Sequence, residues 1–309
     1  MNSSTLTCLA PALSGERREL VAPGVGRVSW YESGPSGGPA TPLLLIHSVN
    51  AAASAYEVKP LYDHYARDRR VFAIDLPGYG FSDRSDRTYT PRLMCDAIHA
   101  VLACIRHEHG GAAVDALALS LSAEFLARVA VERPESIATV ALLSPTGFNR
   151  PALREGAPGS TRGSPRALAL LNGRSYRRFV FGLLTRREVI RYFLQRTWGS
   201  RAIDEGMLDY DYLTTRPAGA EHAPLHFLSG FLFSGDSGTL YRSLTQPVWV
   251  LHGVRGDFVN YSGLAAVATK SNWAVEVLPT GALPHFEMLA EVVQRYDAWR
   301  QTNAMPGAI

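Results

Sequence analysis

Short, almost wholly apolar runs return along this chain between stretches whose apolar residues recur at helical spacing. The runs are "PLLLIHS" (42–48), "RRVFAID" (69–75), "VDALAL" (114–119), "IATVALLSP" (137–145), "PVWVLHG" (247–253) and "WAVEVLP" (273–279). A run too short for a helix, bounded by turn residues, reads as a strand buried on both faces. The stretches between them, 54–65, 90–107, 122–134, 259–269 and 288–303, read as helices. In 90–107, Leu93, Ala97, Ile98, Val101 and Ile105 share one face and Pro91 suits the first helical position. Repeated strand–helix–strand units predict an α/β fold, a mostly parallel twisted sheet with helices on both faces. A Pro-Gly turn in "RRELVAPGVGRVSWYESG" (17–34) predicts a hairpin ahead of them.

The rhythm stops between 150 and 240, where helical patterns and loops occur without a convincing buried strand. The expected organisation is therefore a core in two parts, 1–149 and 241–309, with a helical insertion at 150–240. Its opening, "RPALREGAPGSTRGSPRA" (150–167), reads as a loop, and 175–198 reads as one or two amphipathic helices. The charge there is one-sided. Arg150, Arg154, Arg162, Arg166, Arg174, Arg177, Arg178, Arg186, Arg187, Arg191, Arg196 and Arg201 face only Glu155 and Glu188. Mixed with Phe179, Val180, Phe181, Leu183 and Leu184, such a segment could rest weakly on an anionic membrane surface, or admit a lipophilic or anionic substrate. The alternative, and the expectation carried forward, is a solvated arginine face whose apolar side packs down onto the core.

With 309 residues, 46% hydrophobic and 19% charged, the chain can bury a sizeable core. A net charge of +3 is too small to argue for nucleic acid without a clustered basic face bearing base-reading groups. Cys8, Cys95 and Cys104 are odd in number and widely spaced, so neither a disulfide framework nor a cysteine metal site is expected. The N-terminal twenty residues lack a basic region and a continuous apolar stretch, and no apolar run approaches the roughly 20 residues of a membrane span. A cytoplasmic location is the expectation.

In an open parallel sheet, reactive groups gather at the carboxyl ends of the strands. His47, Ser48, Val49 and Asn50 follow one run, Ser120 another, Gly253 and Asp257 a third, and His285 the last. Taken singly, Ser120 reads as a helix cap, Asp257 as a turn residue and His285 as a buried structural histidine. Together, they place a serine, an aspartate and a histidine after three separate strands, in that chain order. The order, with serine on a strand-to-helix turn, resembles the α/β-hydrolase fold superfamily and its capped serine hydrolases. "ALSLS" (118–122) resembles the nucleophile elbow and "LLLIHS" (43–48) the His-Gly oxyanion segment, while "VLHGVRGDFV" (250–259) and "GALPHFEML" (281–289) look like the acid and histidine loops. "DLPGYGFSD" (75–83) is similar to the loop after the next strand in capped members. Ala118, Ser122 and Ser48 stand where glycine is usual. Ser48 is either tolerated or places a hydroxyl near the oxyanion.

The resemblance implies Ser120 as nucleophile, His285 as base, Asp257 as its orienting acid, and the backbone N–H groups of Val49 and Leu121 as the oxyanion hole. It implies hydrolysis of a carboxylic ester of a small or lipophilic molecule through an acyl-enzyme, without cofactor or metal. Carbon–carbon bond hydrolases of ring-fission products keep the same residues, and a non-catalytic binding protein on the same scaffold is a further alternative. Asp75 reads as a loop brace. His107 and His109, at a helix end, read as surface residues, and Cys95 with His99 as a core pair, none making a metal site. "GYGFSD" is not a dinucleotide fingerprint. Trp198, Tyr210, Tyr212, His226 and Phe227 are candidates to line the pocket.

Overall fold

Each apolar run forms a strand. The computed structural model describes residues 9–36, 40–173 and 175–303; Cys8 and Arg174 lie outside the described residues. The strands are β1 (Glu16–Ala22), β2 (Gly26–Ser33), β3 (Leu43–Ile46), β4 (Val71–Asp75), β5 (Val114–Leu119), β6 (Ile137–Leu143), β7 (Val248–His252) and β8 (Trp273–Val277). They join one eight-stranded sheet in the order β1-β2-β4-β3-β5-β6-β7-β8. The hairpin β1–β2 adds on antiparallel to β4, and all later neighbours pair in parallel. β3 sits between β4 and β5, with Leu44 opposite Phe72 and Ala116.

Because both faces are covered, the central strands carry apolar residues on both. Leu44, Ile46, Phe72, Ile74 and Ala116 point into one buried cluster, and Leu43, Leu45, Val71, Ala73 and Leu117 into the other. The covering helices are α1 (Lys59–Tyr65), α2 (Pro91–Glu108) and α3 (Ser122–Glu132) in the first part of the core. Thr90 caps α2, its hydroxyl accepting from Leu93 N at 3.2 Å, and Pro91 opens the helix. Its expected inward face is buried. Each such Leu, Ile or Val contributes about 1.5–3 kcal/mol relative to exposure.

Two expected helices differ. Residues 54–65 divide into a 3-10 turn, Ala55–Val58, followed by α1. Residues 259–269 form only a 3-10 turn, Ser262–Ala266, because Gly263 lies directly against the backbone of Phe148 and Arg150. Its N–H donates to Phe148 O at 2.8 Å, which draws the segment onto the loop after β6 instead of letting it wind on.

Between β6 and β7 the chain leaves the sheet and builds α4 (Pro165–Leu171), α5 (Arg177–Leu184), α6 (Arg187–Trp198), α7 (Glu205–Thr214), α8 (His222–Leu228) and α9 (Ser237–Ser243). α9 runs across residue 240 and packs on α3. Two side chains one turn apart on α3 hold the returning segment. Glu124 accepts from Ser234 N at 2.7 Å, and Arg128 pairs with the buried Asp236 at 2.7 Å. The insertion's underside comes from α6, whose Ile190, Leu194 and Trp198 are buried at helical spacing. α5 packs down with Phe181 buried and Val180 and Leu184 half-buried, while Phe179 and Leu183 stay exposed. The second part of the core closes with α10 (Pro284–Glu287) and α11 (Leu289–Asn303). Among the described residues, no helix is long and apolar enough to cross a membrane.

Candidate active site

Ser120 follows β5 directly with a φ of 50°, the left-handed region that side chains with a Cβ rarely adopt. Three backbone hydrogen bonds hold it there. Ser120 N donates to Leu143 O at 2.9 Å, and Ser120 O accepts from Ala123 N and Thr146 N, each at 3.2 Å. Strain of this kind persists only where the surroundings over-determine it, and it lifts the side chain clear of strand and helix. The elbow tolerates the loss of its usual glycines because Ala118 is small and Ser122 is put to use. Ser122 Oγ donates to the His47 carbonyl at 2.5 Å, tying the start of α3 to the end of β3.

His47 is a brace. Leu76 N donates to its Nε2 at 3.0 Å, which leaves Nδ1 as the protonated nitrogen, and that donates to Ser48 O at 2.6 Å. Burial pushes its pKa down to about 4, so it stays neutral. The segment after it carries the residue that sequence reasoning missed. Ser48 N and Ser48 Oγ donate to the carboxylate of Glu57 at 2.6 and 3.0 Å, and Asn50 Nδ2 donates to it at 2.7 Å. The hydroxyl of Ser48 is thereby directed at Glu57. Burial raises Glu57 to about 7, against the opposing pull of these donors. The only available signal was an acidic residue in "SAYEVK", a pattern an exposed helix start shows equally well.

A cavity of about 160 Å³ opens at this point, lined by Ser120, Val49, Leu121 and Glu57 with Leu194, Phe227 and Phe233 among its apolar walls. Among the described residues, neither the Val49 N–H nor the Leu121 N–H has an acceptor. Glu57 is the one ionisable side chain among the described residues lining it. The last turn of α6 closes the cavity against the core, its otherwise orphaned carbonyls of Arg196 and Thr197 accepting from Asp257 N at 3.1 Å and Ala282 N at 2.9 Å. Of the candidate lining residues, Phe227 lines the cavity, while Trp198 packs edge-on to Phe286, Tyr210 stacks on Tyr56 and His226 lies against Tyr89. Tyr212 instead carries the guanidinium of Arg216 over its ring.

His285 is fully buried at the start of α10, and burial lowers its pKa to about 4. Its Nε2 donates to the backbone carbonyl of Glu57 at 2.7 Å, and its Nδ1 is buried without a hydrogen-bond partner. The expected contact with Asp257 is therefore not made in this structure. Asp257 is about 40% exposed and forms a two-pronged ion pair with Arg196, one contact at 2.7 Å. The cause is local. Gly256 takes a φ of 85° against the C-terminus of α6, where there is no room for a Cβ, and this turn aims Asp257 at the insertion. The structure thus gathers Ser120, Val49 and Leu121 on one cavity, links His285 to it through Glu57, and leaves Asp257 outside the lining, paired with Arg196.

The other candidates fall outside this cavity. Asp75 braces its loop by accepting from Phe81 N at 3.0 Å. His99 pairs with Glu132 at 2.9 Å, and Cys95 lies buried against Phe125 O. His107 is exposed, and His109 packs edge-on to Phe72.

Residues 43–295 match the family model of the alpha/beta hydrolase family. The chain belongs to the alpha/beta hydrolase family. One curated relative, 2-hydroxymuconate semialdehyde hydrolase from a Pseudomonas species, is 26% identical over 136 residues. That match spans 43% of this chain and 45% of the relative, less than half the length of either. Two solved structures share the fold at greater length. A serine hydrolase involved in carbazole degradation superposes with a TM-score of 0.71 at 16% identity, covering 94% of this chain and all of the other. A thermophilic esterase from Thermogutta terrifontis does so with a TM-score of 0.68 at 18% identity, again over 94% of this chain and all of the other.

Proposed function

We propose that this family member is a serine hydrolase acting on a carboxylic ester with an uncharged, apolar acyl group. The observation that carries the reading is Ser120, held at a φ of 50° on a cavity it shares with two backbone N–H groups that have no acceptor. In this reading Ser120 Oγ attacks the ester carbonyl and His285 takes its proton. Val49 and Leu121 N–H receive the developing oxyanion, each donor contributing about 3–4 kcal/mol. The alkoxide leaves with the proton from His285, and a water activated by the same ring releases the acid. To act as base, the neutral ring of His285 changes tautomer, its proton moving from Nε2 to the unpartnered Nδ1, and Nε2 exchanges the Glu57 carbonyl for the Ser120 hydroxyl.

Wall chemistry favours an ester over an anionic ring-fission product. Leu194, Phe227 and Phe233 offer apolar contact, and among the described residues the lining holds no cationic side chain to pair with a carboxylate. Labelling with a fluorophosphonate probe, wild type against Ser120→Ala, with mass spectrometry of the modified peptide, tests the reading. Modification at Ser120 that disappears in the variant supports it, and turnover of a neutral p-nitrophenyl ester completes the support. A folded wild-type protein that takes no label points to a binding scaffold. Label without ester turnover, but with cleavage of a dienoate, points to carbon–carbon bond hydrolysis.

A further inference from the structure

α5 is apolar on two sides: Phe181 is buried with Val180 and Leu184 half-buried beside it, and a second apolar stripe faces outward. Phe179 and Leu183 lie one turn apart on the helix, with Tyr176 at its N-cap, and the three are 68%, 36% and 39% exposed. Leu170, at the end of α4, joins that stripe: it is 72% exposed, and its carbonyl accepts from the Tyr176 hydroxyl. Single exposed hydrophobes are ordinary, but four held together on consecutive helices mark a contact surface. The charges around them are mainly positive. Arg166 and Arg186 are exposed, and Arg178 is 72% exposed although it lies 3.6 Å from the buried Glu221; Arg177 pairs with Asp86 at 2.8 Å, and Glu155 and Glu188 are the acids between 150 and 201, against twelve arginines.

We infer that α4 and α5 form a docking surface for an anionic lipid bilayer, with Phe179 and its neighbours entering the headgroup boundary and the arginines meeting lipid phosphates. A short amphipathic element with aromatic and aliphatic residues on one side and arginines beside them binds where burial of apolar area and attraction to anionic headgroups add. A second copy of this chain is the poorer occupant, because it would bring two arginine-rich faces together. The inference does not depend on the ester reading. Docking would nevertheless place the same insertion whose α6 walls the cavity next to the lipid phase.

Co-sedimentation of the full chain with vesicles of pure phosphatidylcholine, and of phosphatidylcholine with 30% phosphatidylglycerol, decides it. Binding to the anionic vesicles only, weakened by raised salt, is expected. Phe179→Asp with Leu183→Asp should lower that partitioning by about tenfold or more, while circular dichroism reports an unchanged fold. A second variant, Arg178→Gln with Arg186→Gln, should weaken binding to anionic vesicles without exposing new apolar surface. Absence of wild-type binding, equal binding to both vesicle types, or binding indifferent to both variants overturns the inference. Sedimentation as a dimer that the aspartate variant dissociates would assign the surface to a second copy and overturn it as well.

Discussion

The ring of His285 hydrogen-bonds to the main chain of Glu57, Nε2 to carbonyl oxygen at 2.7 Å, while the side chain of that same glutamate holds Ser48 and Asn50. One residue in a 3-10 turn thus fixes both the proposed base and the strand-end that presents Val49. Glu57→Ala should reduce kcat/KM for a neutral ester by about ten- to a hundredfold, the size seen when groups supporting a reactive site are lost. It should also cost about 1–3 kcal/mol of stability, because Ser48 N would be left buried and unpaired. Ester kinetics with urea unfolding check both. Wild-type rates in the variant would remove Glu57 from the machinery.

Glu57 also imposes a pH dependence on stability. Its carboxyl is raised by burial from 4.5 to about 7, so the folded state keeps a proton that the unfolded chain gives up. The resulting stabilisation is complete below the unfolded value and fades as pH rises towards 7. The buried His285 and His47, both lowered to about 4, act oppositely, losing stability as pH falls from about 6.5 to 4. Subtracting the wild-type melting curve from that of Glu57→Gln isolates the glutamate: the variant should gain relative stability between pH 4.5 and 7. A difference that is flat across this window would show that Glu57 is ionised throughout.

Activity should persist into acid. With the pKa of His285 near 4, the base remains neutral at pH 5, where an ordinary histidine would be neutral in only about one molecule in thirty. The kcat/KM profile for a neutral ester should therefore have its acidic limb well below 6. A limb at 6.5 that survives Glu57→Gln would assign His285 an ordinary titration.

Asp257 pairs with Arg196 and not with His285. Removing an acid that orients the base of a working triad costs about 10⁴-fold in kcat. The structure instead predicts a loss below about tenfold for Asp257→Asn, since the buried Nδ1 of His285 has no partner to lose. A loss approaching that of Ser120→Ala would show that Asp257 leaves Arg196 for His285 during turnover.

At the elbow, stability and activity should separate. Ser120→Gly relieves a φ of 50° that costs a residue with a Cβ about 1 kcal/mol. The variant should therefore melt higher than wild type while losing all fluorophosphonate labelling. A lower melting temperature would mean that the serine side chain makes compensating contacts.

The sheet was legible because each central strand is buried on both faces, and continuous apolar runs such as "PLLLIHS" have few other uses at that length. The order of Ser120 and His285 along the chain was legible for a related reason: reactive residues sit just past strand ends, and strand ends can be counted. The segment 259–269 was not, because close backbone packing at Gly263, not local propensity, stopped the helix.

What the sequence determined by itself was whatever depends on period and adjacency: strand, helix, and the small residues around Ser120. Tertiary structure decided which partners meet across long separations. Glu57 is 228 residues from His285, and Asp257 is 61 residues from Arg196. No local pattern encodes such pairings. They follow from how the insertion settles on the core, which is why a buried glutamate emerged as the link between base and oxyanion segment while the expected acid turned to an arginine.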